Sequence, residues 1–192
     1  MTRVILACVL VLCCSMSVAA DNCLTPPTLS YSVRMPARLN YKIVGSGWTD
    51  EQKVCVSDAF WTWNTALRQS QHRIQFRQVS IRAAQITVMR APLAVNVGGG
   101  LVDTRVDENG HFKSTGLAVT SYADVVSSCA GIYKIVLHEI GHILGLADMT
   151  YNKFSAERPV PSVMNTMGGA NDEREFIPTF PTSCDVAAVP HL

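Results

Sequence analysis

Apolar positions alternate with polar ones from Arg38 to Val44, with Leu39, Tyr41 and Ile43 on one side, which predicts a first strand. Gly45 and Gly47 break it. The spacing then lengthens: after Thr49 and Gln52, three apart as in a capping box, come Val56, Phe60, Trp63 and Leu67 at helical intervals. This predicts a long amphipathic helix in which one of Trp61 and Trp63 is core and the other a partly exposed flank. Residues 74–79 and 85–89 alternate again and predict two more strands, the second ended by Pro92. The glycine-dense run at 98–100 lacks the context of a phosphate-binding loop and predicts a flexible loop or an irregular sheet edge. Asn109 and Gly110 between short alternating runs predict a hairpin turn, and residues 116–120 a further strand, an edge beside the cleft. A helix capped by Ser127 or Ser128 runs to about Leu144, and a short closing helix follows Cys184 and stops at Pro190.

The helix ending near Leu144 changes the picture from packing to chemistry. Ile135, Val136, Leu137, Ile140, Ile143 and Leu144 make it apolar on nearly every side, yet it carries His138, Glu139 and His142. Ionisable groups in so apolar a helix are costly unless coordinated or paired. Residues four apart share a face, so the two imidazoles can present nitrogens to a common point, which suits a zinc ion. Gly145 can take the left-handed conformation that ends a helix and turn the chain back, delivering Asp148 as a third ligand. Glu139, beside the first histidine, then reads as a general base and not a ligand. Should Asp148 not serve, His111 and His191 are the remaining candidates.

With 192 residues, 48% hydrophobic and 16% charged, the chain is expected to fold around one well-buried core, without a second full domain. A net charge of +1 argues against nucleic acid or an anionic membrane as the main partner; Arg68, Arg73, Arg77 and Arg82 are scattered as on an ordinary solvated face. Residues 1–20 read as a secretory signal: Arg3, an apolar stretch from Val4 to Cys14 too short to span a bilayer, then small residues up to Ala20. Residues 21–36 read as an extended N-terminal arm and residues 37–192 as the folded domain. Removing the signal leaves Cys23, Cys55, Cys129 and Cys184, an even number in an exported chain, hence two disulfides whose connectivity is open among three possibilities. A cysteine-capping pro-segment finds no matching motif around Cys23. The donor-rich run from Asp103 to His111 fails as a calcium loop because Arg105 stands where an acidic ligand should begin.

The pattern His138-Glu139-x-x-His142-x-x-Gly145-x-x-Asp148, with Ser162-Val163-Met164 downstream, resembles the metzincin metalloproteases and is most similar to the matrixin-like branch. Most of that family has histidine where this chain has Asp148; the snapalysin group of small secreted proteases is similar in carrying aspartate. The resemblance implies an α+β zincin fold: a twisted mixed sheet, a long N-terminal helix, an active-site helix and a short C-terminal helix. It implies zinc bound by His138, His142 and Asp148, catalytic Glu139, Met164 in a tight turn under the metal, and a substrate lying extended in the cleft. The expected activity is therefore a secreted or periplasmic zinc endopeptidase acting on protein or peptide substrates as a monomer. Its rival is a catalytically weak, zinc-stabilised binding or inhibitory protein on the same scaffold. A metal-free, disulfide-stapled structural protein is a third.

Overall fold

The computed structural model describes residues 28, 33–80, 84–91, 99–120, 128–149, 161–165 and 178–190. The expected signal at 1–20, most of the arm at 21–36, and His191 lie outside the described residues. Five strands form one mixed sheet: β1 (Arg38–Val44), β2 (Gln75–Gln78), β3 (Ile86–Ala91), β4 (Gly99–Val106) and β5 (Phe112–Thr120), in the order β2-β1-β3-β5-β4. All neighbours run parallel except β4, which is antiparallel to β5 and forms the outer edge. Among the described residues three helices complete the α+β architecture expected from the sequence: α1 (Asp50–Gln69), α2 (Cys129–Ile143) and the short closing α3 (Ser183–Ala188).

In β1, β3 and β5 from Thr115 onward the buried residues are one alternating half. Leu39 and Tyr41, Ile86 and Val88, Thr115, Leu117 and Val119 face the core, while Met89 on the other half is exposed. Period-2 patterning thus covers the sheet on one face. Against that face Phe60 of α1 stacks on Tyr41 at 3.9 Å between ring centres, with Phe76 edge-on at 5.3 Å. The Thr49 and Gln52 capping box forms as the spacing predicts. Of the two tryptophans, Trp63 is fully buried and Trp61 is 65% exposed.

α1 holds α2 in three ways. Trp63 Nε1 donates to the Leu137 carbonyl at 2.8 Å, the hydroxyls of Thr62 and Tyr133 lie 2.9 Å apart, and Cys55 is disulfide-bonded to Cys129 at the first turn of α2. Cys184 is disulfide-bonded as well. The expected turn also forms: Gly110 adopts φ 77° in the β4–β5 hairpin, and Asp107 accepts from the Asn109 and His111 main-chain N–H groups.

One expectation is corrected. Residues 116–120 belong to a longer strand, β5, that is interior between β3 and β4, so it is not the edge beside the cleft. The edge is β4, which begins within the glycine run. Glycine has a weak strand propensity, but pairing of Gly99 and Gly100 with Thr120 and Val119 supplies ladder bonds that local preference does not reveal.

Candidate metal centre

Ser128 caps α2, accepting from Gly131 N at 3.1 Å, and the helix then runs without interruption to Ile143. His138 and His142 fall one turn apart, with ring centres 4.8 Å from each other. At the C-terminus Gly145 N bonds the His142 carbonyl at 3.0 Å and Leu146 N the Gly141 carbonyl at 3.0 Å, a Schellman closure with Gly145 at φ +89°. The left-handed glycine expected from the sequence is therefore present, and it sends the chain back beneath the histidines.

That reversal has two products. The Leu146 carbonyl comes to lie 2.9 Å from His142 Nδ1, and Asp148 Oδ1 comes to lie 3.1 Å from His138 Nε2 and 3.3 Å from His142 Nε2. His138 Nδ1 in turn lies 2.8 Å from the Val163 carbonyl. A carbonyl oxygen can only accept, so both Nδ1 atoms must donate, and in neutral rings both Nε2 atoms carry the lone pair. Two such lone pairs and a carboxylate oxygen converge on one point. Ligand atoms at the usual bond lengths of a tetrahedral zinc are roughly 3.3 Å apart, so the donor types and the two nitrogen–oxygen distances to Asp148 suit that ion. The backbone carbonyls behind the rings are the kind of support that orients imidazole ligands.

Glu139 is buried, 5% exposed, and one of its carboxylate oxygens lies within 4.8 Å of a ring nitrogen of each of His138 and His142. Burial pushes its carboxyl above the ordinary value of 4.5, opposed by His138, His142 and the main-chain N–H of Gly100. Gly100 sits on the core-facing half of β4, and a Cβ there would overlap the Glu139 carboxylate. Asp148 is held well below the carboxylate range by His138 and His142. Burial alone would lower His142, but Asp148, the Leu146 carbonyl and Glu139 together carry it above its ordinary 6.5.

Met164 lies under the helix: it is fully buried, its thioether packs where a Cβ on Gly141 would stand, and its carbonyl accepts from Met149 N at 2.8 Å. The structure thus brings His138, Glu139, His142 and Asp148 together. His111 is elsewhere: it pairs with Asp107 at 3.2 Å at the hairpin end of β4 and β5. Gly100 lies near the opposite end of β4, about 20 Å along the strand. Two residues carry no signal of their role in the sequence. Gly100 resembles loop filler there, and its contact depends on sheet register. Asp185 is legible only as part of the closing helix, though it proves to be fully buried and bonded to Ser162 and Val163.

No family model and no curated protein matches the sequence. Solved structures do: one described as the structure of myroilysin superposes with a TM-score of 0.37 at 18% identity, over 57% of this chain and 48% of that one. The chain therefore spans about half the length of that match. A second, described as the crystal structure of myroilysin, superposes with a TM-score of 0.47 at 12% identity, over 83% of this chain and 90% of the other.

Proposed function

We propose that the protein is an exported zinc-dependent endopeptidase in which His138, His142 and Asp148 hold the metal and Glu139 is the general base. The observation that carries this reading is the convergence of His138 Nε2, His142 Nε2 and Asp148 Oδ1, the carboxylate oxygen within 3.3 Å of both nitrogens and both rings turned by backbone carbonyls. The sequence resemblance to metzincins, with aspartate in third place as in the snapalysin group, supports it. So does the half-exposed Asp148 side chain, which keeps the centre near solvent.

Zinc bound there would supply a Lewis acid that polarises the scissile carbonyl and acidifies water. Glu139, with its carboxyl raised above its ordinary value by burial, takes the proton from the attacking water and delivers it to the departing nitrogen. Gly100 N–H steadies that carboxylate from the edge strand. β4 offers its outer edge, with Leu101 exposed, to an extended peptide that could add as a further strand beside Glu139. Substrates are accordingly protein or peptide chains, cleaved by a monomer, with neither nucleic acid nor membrane as a partner. The Cys55–Cys129 disulfide suits an exported, oxidising location.

Cleavage of casein or a quenched peptide by the purified protein tests this. Glu139→Gln should lower kcat by about 10²- to 10⁴-fold, the usual range for a general base, while zinc stays bound. Undiminished turnover in that variant would remove Glu139 from the role.

A further inference from the structure

Asp185 is fully buried, and both of its carboxylate oxygens are used. Oδ1 accepts from Ser162 Oγ at 2.5 Å. Oδ2 accepts from Thr182 N at 2.7 Å, Thr182 Oγ1 at 2.8 Å and Val163 N at 3.2 Å. The Thr182 bonds are the capping box of α3, an ordinary local device. The other two reach 23 and 22 residues back along the chain, to the turn carrying Met164. There Ser162 Oγ accepts from Met164 N at 2.9 Å, so one carboxylate and one hydroxyl fix Ser162, Val163 and Met164 together.

The middle residue of that turn is the connection to the metal centre. Val163 gives its N–H to Asp185, and its carbonyl receives His138 Nδ1 at 2.8 Å. The orientation of the His138 ring therefore depends on where the 162–164 turn sits. A fully desolvated carboxylate is costly unless it is well bonded. α3 could be capped by a less demanding residue, whereas a carboxylate can accept from the turn and the helix cap together.

We propose that Asp185 is a positioning residue for the metal centre, its carboxylate setting the Ser162–Met164 turn so that the Val163 carbonyl aims His138 Nε2 at the ion. This rests on the zinc reading of the site. Partners behind a histidine ligand commonly change metal affinity by about 10- to 100-fold when removed, and Asp185 acts one bond further out.

The test is zinc affinity, measured by competition with a chromophoric chelator at a temperature where each metal-free protein is folded. Asp185→Asn and Ser162→Ala should weaken zinc binding by about tenfold or more. Thr182→Ala removes the α3 cap and one bond to Asp185 Oδ2 but neither bond from Asp185 to the turn, so it should lower thermal stability while changing zinc affinity far less than Ser162→Ala does. Should Asp185→Asn fail to fold, Ser162→Ala against Thr182→Ala still decides. Wild-type affinity in the folded variants at both positions overturns the proposal while leaving the zinc reading intact. Failure of the wild type itself to take up zinc overturns both.

Discussion

Gly100 and Glu139 show how much of the site depends on a single missing methyl group. A Cβ at position 100 would overlap the Glu139 carboxylate, and the Gly100 N–H bonds that same group. Gly100→Ala should therefore displace the base by a fraction of an ångström to an ångström while the buried core is untouched. Misplacement on that scale costs about 10²-fold in rate, so kcat should fall by that order with zinc content and the far-ultraviolet circular dichroism unchanged. Unaltered kcat would show that β4 does not position the base. The two histidines are legible in the sequence because helical spacing alone puts His138 and His142 on one face. Gly100 is not, because its role depends on which residue of the edge strand lies over α2, and that is set by pairing of Gly100 with Val119.

At the scale of elements, the turn after α2 converts a helix with two histidines into a three-donor centre. Gly145 at φ +89° closes the helix, and the reversed chain supplies both the Leu146 carbonyl behind His142 and the Asp148 carboxylate in front of it. There is room for a methyl group at this position, with the Pro190 ring at 3.7 Å, so the objection to alanine is conformational. A left-handed residue with a Cβ costs about 1–2 kcal/mol. Gly145→Ala should lower the unfolding free energy by that amount in a urea titration, and weaken zinc retention with it; a variant as stable as wild type would mean that the turn tolerates another geometry. Both long helices are readable from periodicity and caps: α1 from Thr49 and Gln52, and α2 from its serine and its apolar run. The sheet is readable in β1 and less so at the far edge. There the strand begins within a glycine run that carries no pattern of its own, and the order β5 before β4 in the sheet comes from a hairpin folding back outside.

Across the whole molecule, the helix carrying His138 and His142 is clamped between α1 and the sheet, so the site inherits its rigidity from the core. Trp63 and the Cys55–Cys129 disulfide tie α1 to α2 at two levels, one beside Leu137 and one at the first turn. The disulfide joins residues 74 apart, and loop-closure entropy for a loop of that size corresponds to about 4 kcal/mol. Cys55→Ser with Cys129→Ser should lose a large part of that stability, read as a drop in the denaturant midpoint. A midpoint within error of wild type would show that Trp63 and the core suffice. An even cysteine count predicts bridges, but the choice of partner requires knowing that α1 and α2 pack side by side, which no local pattern states.

The proposed zinc centre rests on one coordination sphere, and X-ray absorption at the zinc edge of the metal-loaded protein reads that sphere directly. The expected spectrum is that of one zinc per chain with nitrogen and oxygen neighbours only, at roughly 2.0–2.2 Å, two of them showing the outer-shell scattering of imidazole. Replacing Asp148 by alanine should remove one oxygen neighbour or exchange it for solvent. A sulfur neighbour at roughly 2.3 Å, or a single imidazole, would contradict the assignment of His138, His142 and Asp148.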